Sequence, residues 1–348
     1  NVEYNTVNIS DNVTINVSSG IASVYGGYSE NGNVEYNTVN ISDNVTINGS
    51  SGIASVYGGY SEKGNVEYNT VNISDNVTIN VSYGIASVYG GYSENGNAKY
   101  NTVNISGGTI GSDDWPAYVY GGYIHDSGTA YDNEVVISGS ADITYARLFG
   151  CNNRATNDTG NTLTIDGWSG KTNTVQNFND IAFKNINWNE NKPVLTITAG
   201  STDDLENTTI DTIHIAGGSD INVDESKTLI ESGNGNDLGL TEGNVTDTFT
   251  AGVAREGLGS TSVDTTTGEV SFKVNSIKLS SQAVSAAQTR AASAAFVNQG
   301  TDLISDSLDA LSRDDSYGIK TFAAVQGNRS KYDVNSDITV SYTHLTLP

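Results

Sequence analysis

Asn1, Asn33, Asn65 and Asn97 each open a copy of the same 32-residue stretch, with "VYGGYSENGN" or a near variant recurring at Val24, Val56 and Val88. The first three copies are almost identical: Val17 becomes Gly49 and returns as Val81, Ser19 becomes Tyr83, and Asn31 becomes Lys63. A fixed period in this range restricts the chain to architectures in which each unit meets the next in the same way, namely solenoids, propellers or arrays.

The pattern inside one unit selects strand over helix. Val7 and Ile9 alternate with polar residues in "YNTVNIS", and "NVTINVS" sets Val13, Ile15 and Val17 on one face. In "ASVYGGYS" the same alternation groups Ala22, Val24, Gly26 and Tyr28. Period two, β-branched residues and Asn/Gly/Ser punctuation read as short strands. The spacing predicts three strands per unit, joined by polar turns at "SDN", "SSG" and "SENGN". A propeller blade needs four strands and about 40 residues, so a three-strand coil fits better. The predicted fold is all-β, a right-handed parallel β-helix in which each residue lies ~4.8 Å above its equivalent. Val7, Val39, Val71 and Val103 then form one buried column, and Ile9, Ile41, Ile73 and Ile105 the next. Asn8, Asn40, Asn72 and Asn104, and likewise Asn16, Asn48 and Asn80, are expected to form amide ladders.

The repeat decays through "DNEVVISG" at Asp132, "LFGCNN" at Leu148, "NTLTIDG", "PVLTITAG" and "TTIDTIHIAGG". Degenerate coils are expected to about Ser232, with Phe178, Phe183 and Trp188 closing the end. Residues 233–279 read as a bridging β region with a good strand at "GEVSFKV". Residues 280–313 are Ala-rich with helical spacing; Val284, Ala287, Ala291, Ala294 and Val297 fall near one face, Leu303, Leu308 and Leu311 extend the apolar stripe, Ser280 or Ser281 is the expected N-cap, and Gly300 is expected to interrupt or end the first segment. Residues 317–339 read as a strand of about ten residues with mixed faces, then a turn and a second strand from Asp337, as in a membrane barrel.

Composition narrows the function classes. The net charge is −24, from 40 acidic and 16 basic side chains, which disfavours nucleic acid as a partner. Hydrophobic residues are only 36%, but 19 tyrosines and regular Val/Ile spacing argue against disorder. Cys151 is the single cysteine, so no intramolecular disulfide forms. No stretch nears the ~18 apolar residues of a transmembrane helix. The chain opens mid-repeat with no visible signal peptide and reads as a fragment.

The order solenoid, bridge, alanine-rich helix, barrel-like strand resembles an autotransporter of the type V secretion class. "RAASAAFVNQGTDLI" from Arg290 is similar to the family's helix before the barrel, "GIKTFAAVQGNRSKYDVNSDITV" to its first barrel strand and hairpin, and the repeats to those of many passengers. The resemblance implies residues 1–232 as a β-helical passenger and residues 317–339 as the first strands of an outer-membrane barrel, incomplete because the family's barrel has about twelve strands. It implies a monomer on the surface of a Gram-negative-type bacterium, anchored in the outer membrane through the full-length barrel, and meeting a host or bacterial surface protein or glycan. Residues 340–348, "VSYTHLTLP", resemble a translated sequencing adapter and are set apart from the fold.

The three histidines, His125, His214 and His344, have no nucleophile-elbow partner, and the first two read as surface residues. Asp113/Asp114 and Asp203/Asp204 are adjacent acids of the kind a turn leaves solvated rather than a catalytic pair. No calcium-loop or zinc pattern occurs, and Cys151 reads as a small buried coil residue. "NIS", "NVT" and "NVS" triplets follow from composition rather than glycosylation. No cofactor and no catalytic residue is expected. The binding candidates are two tyrosine columns, Tyr4/Tyr36/Tyr68/Tyr100 and Tyr25/Tyr57/Tyr89/Tyr120, able to stack on sugars or pack against protein. Adhesion is the expected role; a secreted β-helical enzyme acting on polysaccharide and a passive stalk are the alternatives.

Overall fold

The computed structural model describes residues 1–152, 159–202, 204–312, 324–333 and 337–346. The repeats form a parallel β-solenoid of about eight turns, as the 32-residue period predicts. Each of the first four coils has four strands rather than three. In the second coil these are Val34–Glu35, Thr38–Ile41, Thr46–Gly49 and Gly52–Ser61. The extra two-residue strand was invisible to periodicity because it spans a single alternation. Equivalent strands stack in parallel and in register, Thr38 on Thr70 and Ile47 on Ile79.

The core is a set of like-on-like columns. Val7, Val39, Val71, Val103, Val135, Leu163, Ile181 and Ile210 align. Ile9, Ile41, Ile73, Ile105, Ile137, Ile165, Phe183 and Ile213 form the neighbouring column. Both were expected, and apart from Val7 and Ile9 at the first coil their members are buried. The outward Asn8, Asn40, Asn72 and Asn104 form the expected amide ladder at 2.7–2.8 Å; Asn16, Asn48 and Asn80 align in register.

A third ladder went unforeseen. Asn5, Asn37, Asn69, Asn101, Asn133 and Asn161 hand Nδ2–H···Oδ1 bonds from coil to coil at 2.8–3.0 Å. Each backbone N–H donates to the same Oδ1 acceptor. From Asn37 onward the Nδ2 groups also donate to a carbonyl of the coil below, such as Val2 or Val34. Asn37 to Asn161 are 0–1% exposed, where an unpaired amide is costly and a paired one specifies register.

To aim this asparagine inward, the preceding residue turns left-handed. Tyr4, Tyr36, Tyr68 and Tyr100 have φ of 55–58°, and Asp132 and Gly160 hold the equivalent position in the next coils. A bulky residue there carries a penalty of roughly 1–2 kcal/mol. Two glycines pack beside the ladder. A Cβ on Gly58 would lie 2.4 Å from the Gly90 carbonyl oxygen, and one on Gly59 2.7 Å from the Asn69 side chain. The Gly–Gly step breaks the strand's alternation, so Tyr28 does not share the inner face of Val24, contrary to the simple period-two reading.

The far end closes by reversal. Ser226–Ser232 pairs antiparallel with Glu269–Leu279, and Phe178, Phe183 and Phe272 fill the core. One compact unit comprises Asn1–Gly252 and Gly257–Ile277, so the bridging region folds with the solenoid rather than starting anew after Ser232. The second unit, Val253–Glu256 and Lys278–Pro348, carries the helix Ser281–Ser312. Ser280 caps it through Oγ, 3.2 Å from the Ala283 N–H. The helix runs on through Gly300, because one glycine costs only ~1 kcal/mol. Among its described side chains Ala295 is the buried one; Ala294 and Val297 are exposed, since 100° per residue carries them off the face of Val284. Leu308 is exposed too, while the side chains of Leu303 and Leu311 lie outside the described residues. None of the described helices is long and apolar enough to cross a membrane.

Strands Ala324–Asp333 and Asp337–Thr346 form an antiparallel hairpin. The second begins at Asp337 as expected and continues through Val340–Thr346, the adapter-like stretch. The first is described from Ala324, and Ile319, Thr321 and Ala323, where its alternation was read, lie outside the described residues.

Replacing Asn69 by Ala orphans Asn37 and the amide network at full burial. Denaturant unfolding is expected to show a loss of about 3 kcal/mol. Asn72→Ala, on the half-exposed ladder, is expected to cost under ~1 kcal/mol. Equal losses at the two sites would contradict the role given to the buried ladder.

Candidate functional site: the tyrosine columns

Register converts tyrosines 32 apart into stacks. Tyr4, Tyr36, Tyr68 and Tyr100 have ring centroids 4.8–5.0 Å apart and planes within 13°. They stand at the left-handed corner, 72%, 42%, 41% and 39% exposed. Stacking contributes ~0.5–1.5 kcal/mol per pair beyond burial, a size that offsets the backbone strain.

The second expected column is built differently. Tyr25, Tyr57, Tyr89 and Tyr120 stack at 4.8–5.3 Å and continue onto Phe149 at 4.8 Å. They are half-buried because a further column covers them. Tyr28, Tyr60, Tyr92 and Tyr123 stack at 4.8–5.4 Å and meet the first row edge-on at 5.1–5.6 Å. The Gly–Gly step brings both rows to one side, whereas strict alternation groups Tyr28 with Ala22 and Val24.

The outer row is tied to carboxylates. The Tyr28 hydroxyl donates to Glu62 at 2.7 Å and the Tyr60 hydroxyl to Glu94 at 2.5 Å. The Glu62 hydrogen bond, with some desolvation and the carboxylate's charge, pushes the Tyr28 phenol up to about 12. Burial first, then Glu94, raises Tyr60. Burial likewise raises Tyr89, Tyr92 and Tyr120. These phenols stay neutral donors through any physiological pH.

The remaining sequence candidates are dispersed. Asp113 and Asp114 are exposed. Asp203 lies outside the described residues. Asp204 is not solvated; it is 1% exposed and accepts from Gln176 and Ser201 at 2.7 and 2.8 Å, and burial raises its carboxyl. His125 is exposed with Nδ1 2.8 Å from Asp126. His214 is half-buried, with Nε2 3.3 Å from the Gly252 carbonyl. Cys151 is buried against Ala98 and Ala130, as its small-residue position implied. Among the described residues no group of three His, Cys, Asp or Glu side chains is arranged to hold a metal.

The degenerate coils carry a cleft the sequence did not reveal. It measures about 740 Å³, lined by Trp188, Glu190, Lys192, Glu225, Lys227 and Glu231 among others. Lys227 is buried, donates to the carbonyls of Asn187 and Glu190, and is pulled below the usual lysine value by burial. Ser169 at 2.9 Å and Lys192 at 3.3 Å hold the Glu190 carboxyl below its ordinary range, the serine bond most. Asn222, followed by Trp188, does the same to Glu225. Both acids are held ionised.

Comparison with protein-family models, curated proteins and solved structures finds no match to this chain.

Above pH 10 the Tyr28 phenol is expected to stay protonated to about 12, and its contribution to stability, complete below 10, to fade between these values. Glu62→Gln is expected to bring that titration back toward 10 by phenolate absorbance or tyrosine-selective NMR. An unchanged Tyr28 titration in the variant would contradict the assigned hydrogen bond.

Proposed function

We propose that the chain is part of a surface-exposed autotransporter, the solenoid being its passenger and the tyrosine columns its contact surface for a host or bacterial surface protein or glycan. The observation that carries this reading is the in-register stack of Tyr4, Tyr36, Tyr68 and Tyr100, four exposed rings at one-rung spacing. Repetition of a weak contact yields avidity without any single deep site. The solenoid, followed in sequence by the helix Ser281–Ser312 and an antiparallel hairpin, is consistent with a passenger and the start of a translocator. The assignment to the outer membrane, and the monomeric state, rest on the sequence resemblance.

The cleft gives a second reading, a β-helical enzyme acting on polysaccharide. A glycosidase of the usual type needs one carboxyl kept protonated as general acid. Glu190 and Glu225 are pulled the other way, which favours the adhesive reading. Release of reducing ends from bacterial or plant polysaccharides, abolished by Glu190→Gln, would reverse that preference.

Protease treatment of intact cells of the source bacterium is expected to release fragments of the repeat region. Accessibility only after lysis would overturn surface display. Tyr36→Asn with Tyr68→Asn keeps a residue type that tolerates the left-handed corner while removing two rings; cell or glycan-array binding is expected to fall roughly tenfold. Deleting residues 33–64 is expected to weaken binding similarly. Unchanged binding in both variants would identify a spacer instead.

A further inference from the structure

The first three coils contain one kind of readily oxidised side chain. Residues 1–96 hold no methionine, cysteine, tryptophan or histidine, and tyrosine recurs through them. The rest of the chain has no methionine either, and Cys151, Trp168 and Trp188 are buried. Trp115 is half-buried against Tyr83. Methionine and exposed cysteine are the common targets of oxidants. On the regular coils an oxidant arriving from solvent meets tyrosine instead.

Geometry then selects among the tyrosines. Tyr4, Tyr36, Tyr68 and Tyr100 present exposed rings, each 4.8–5.0 Å from the next and within 13° of parallel. In a stack so nearly parallel, the ring carbons ortho to each hydroxyl lie about one rung, ~4.8 Å, from their equivalents on the neighbouring coils. Tyr25, Tyr57, Tyr89 and Tyr120 stack as closely but are half-buried under the outer row. In that outer row the Tyr28 and Tyr60 hydroxyls are held by Glu62 and Glu94. The corner column combines exposure with parallel contact over four coils.

We propose that this column is a site of oxidative coupling, at which a one-electron oxidant of the peroxidase–hydrogen peroxide type joins tyrosines of adjacent coils as dityrosine. Each of two neighbouring phenols gives one electron to the oxidant and its hydroxyl proton to water, or at Tyr100 to the Asp132 carboxylate hydrogen-bonded to it. The two phenoxyl radicals form a carbon–carbon bond between their ortho carbons. The hydrogen on each of these carbons then moves to oxygen, which restores both rings and both hydroxyls. Two electrons and two protons have passed to one hydrogen peroxide, which becomes two waters. Register supplies the second ring at contact distance, so the coupling does not wait for another chain. The amide ladder fixes the backbone corner, and the rings meet by turning about their side-chain bonds. Across two rungs the intervening ring stands between the partners. Each link ties residues 32 apart in sequence, a cross-link of the kind that stabilises by restricting the unfolded chain. The chemistry is independent of the contact role given to these rings above.

The test compares two variants of the full chain with equal numbers of tyrosines. Tyr4→Phe with Tyr100→Phe leaves Tyr36 and Tyr68, which are adjacent. Tyr36→Phe with Tyr100→Phe leaves Tyr4 and Tyr68, two rungs apart. Both keep four aromatic rings in the column, and circular dichroism checks each fold. Tyr68→Phe with Tyr100→Phe, which leaves Tyr4 and Tyr36, is a second adjacent variant. After treatment with a haem peroxidase and hydrogen peroxide in dilute solution, the monomer is isolated and its dityrosine is read by fluorescence and by mass spectrometry. The adjacent variants are expected to carry at least about threefold more dityrosine than the separated one, with a yield per chain that does not change on further dilution. Equal amounts in adjacent and separated variants would show that other tyrosines couple, and overturn the site. Dityrosine confined to dimers and larger species, or a yield that falls on dilution, overturns it as well.

Discussion

The buried amide ladder from Asn5 to Asn161 is the constraint on which the rest of the solenoid depends. Valine and isoleucine columns supply burial, but apolar contact is tolerant of small shifts. A buried amide is not: each Oδ1 accepts a side-chain and a backbone N–H from the neighbouring coil, and a slip in register leaves both donors in an apolar surrounding without a partner. The ladder makes the period a structural requirement and outlasts the repeat itself, since Asn133 and Asn161 keep it after the surrounding sequence has diverged.

Two surface features follow from it. Turning the asparagine inward requires a left-handed residue before it, and the first four coils put tyrosine there, where stacking on the adjacent coils offsets the strain. Packing against the amide leaves no room for a Cβ at Gly59. The Gly–Gly step that results brings Tyr25 and Tyr28 to the same side as a double aromatic row. The exposed rings are therefore consequences of the core as well as candidates for contact. In the fifth and sixth coils Asp132 and Gly160 occupy the corner, residue types for which the left-handed conformation is cheap, and the exposed column ends there.

Stacking identical units also stacks identical charges, and the solenoid meets this in two ways. Tyr28 and Tyr60 place a hydroxyl donor against Glu62 and Glu94 of the next coil, which keeps the phenol neutral and the carboxylate hydrogen-bonded. Among the described residues the Glu3–Glu35–Glu67 column has a cation only at its last member, from Lys99. Beyond the regular coils the surface changes character: loops of unequal length open the cleft around Lys227, whose buried ammonium is held by main-chain carbonyls of Asn187 and Glu190.

Much of this was legible in the residues. The 32-residue period determined a solenoid, and β-branched alternation determined which valines and isoleucines face inward, because those properties repeat with the chain. The outer Asn8 ladder and the stacking of both predicted tyrosine columns followed from register alone. What the sequence could not reveal were features that depend on departures from regular strand geometry. The two-residue strand, the left-handed tyrosine corner, the inward Asn5 ladder and the flip at Gly26–Gly27 each break the period-two rule from which faces were read. The helix face drifted for the same kind of reason, three- and four-residue steps being averaged too coarsely over Val284 to Val297. The cleft, the burial of Asp204 and the pairing of Lys99 with Glu67 belong to the tertiary structure alone. They arise where residues about 30 apart in sequence are brought within a few ångströms by coiling, and only the path of each loop decides which of them meet.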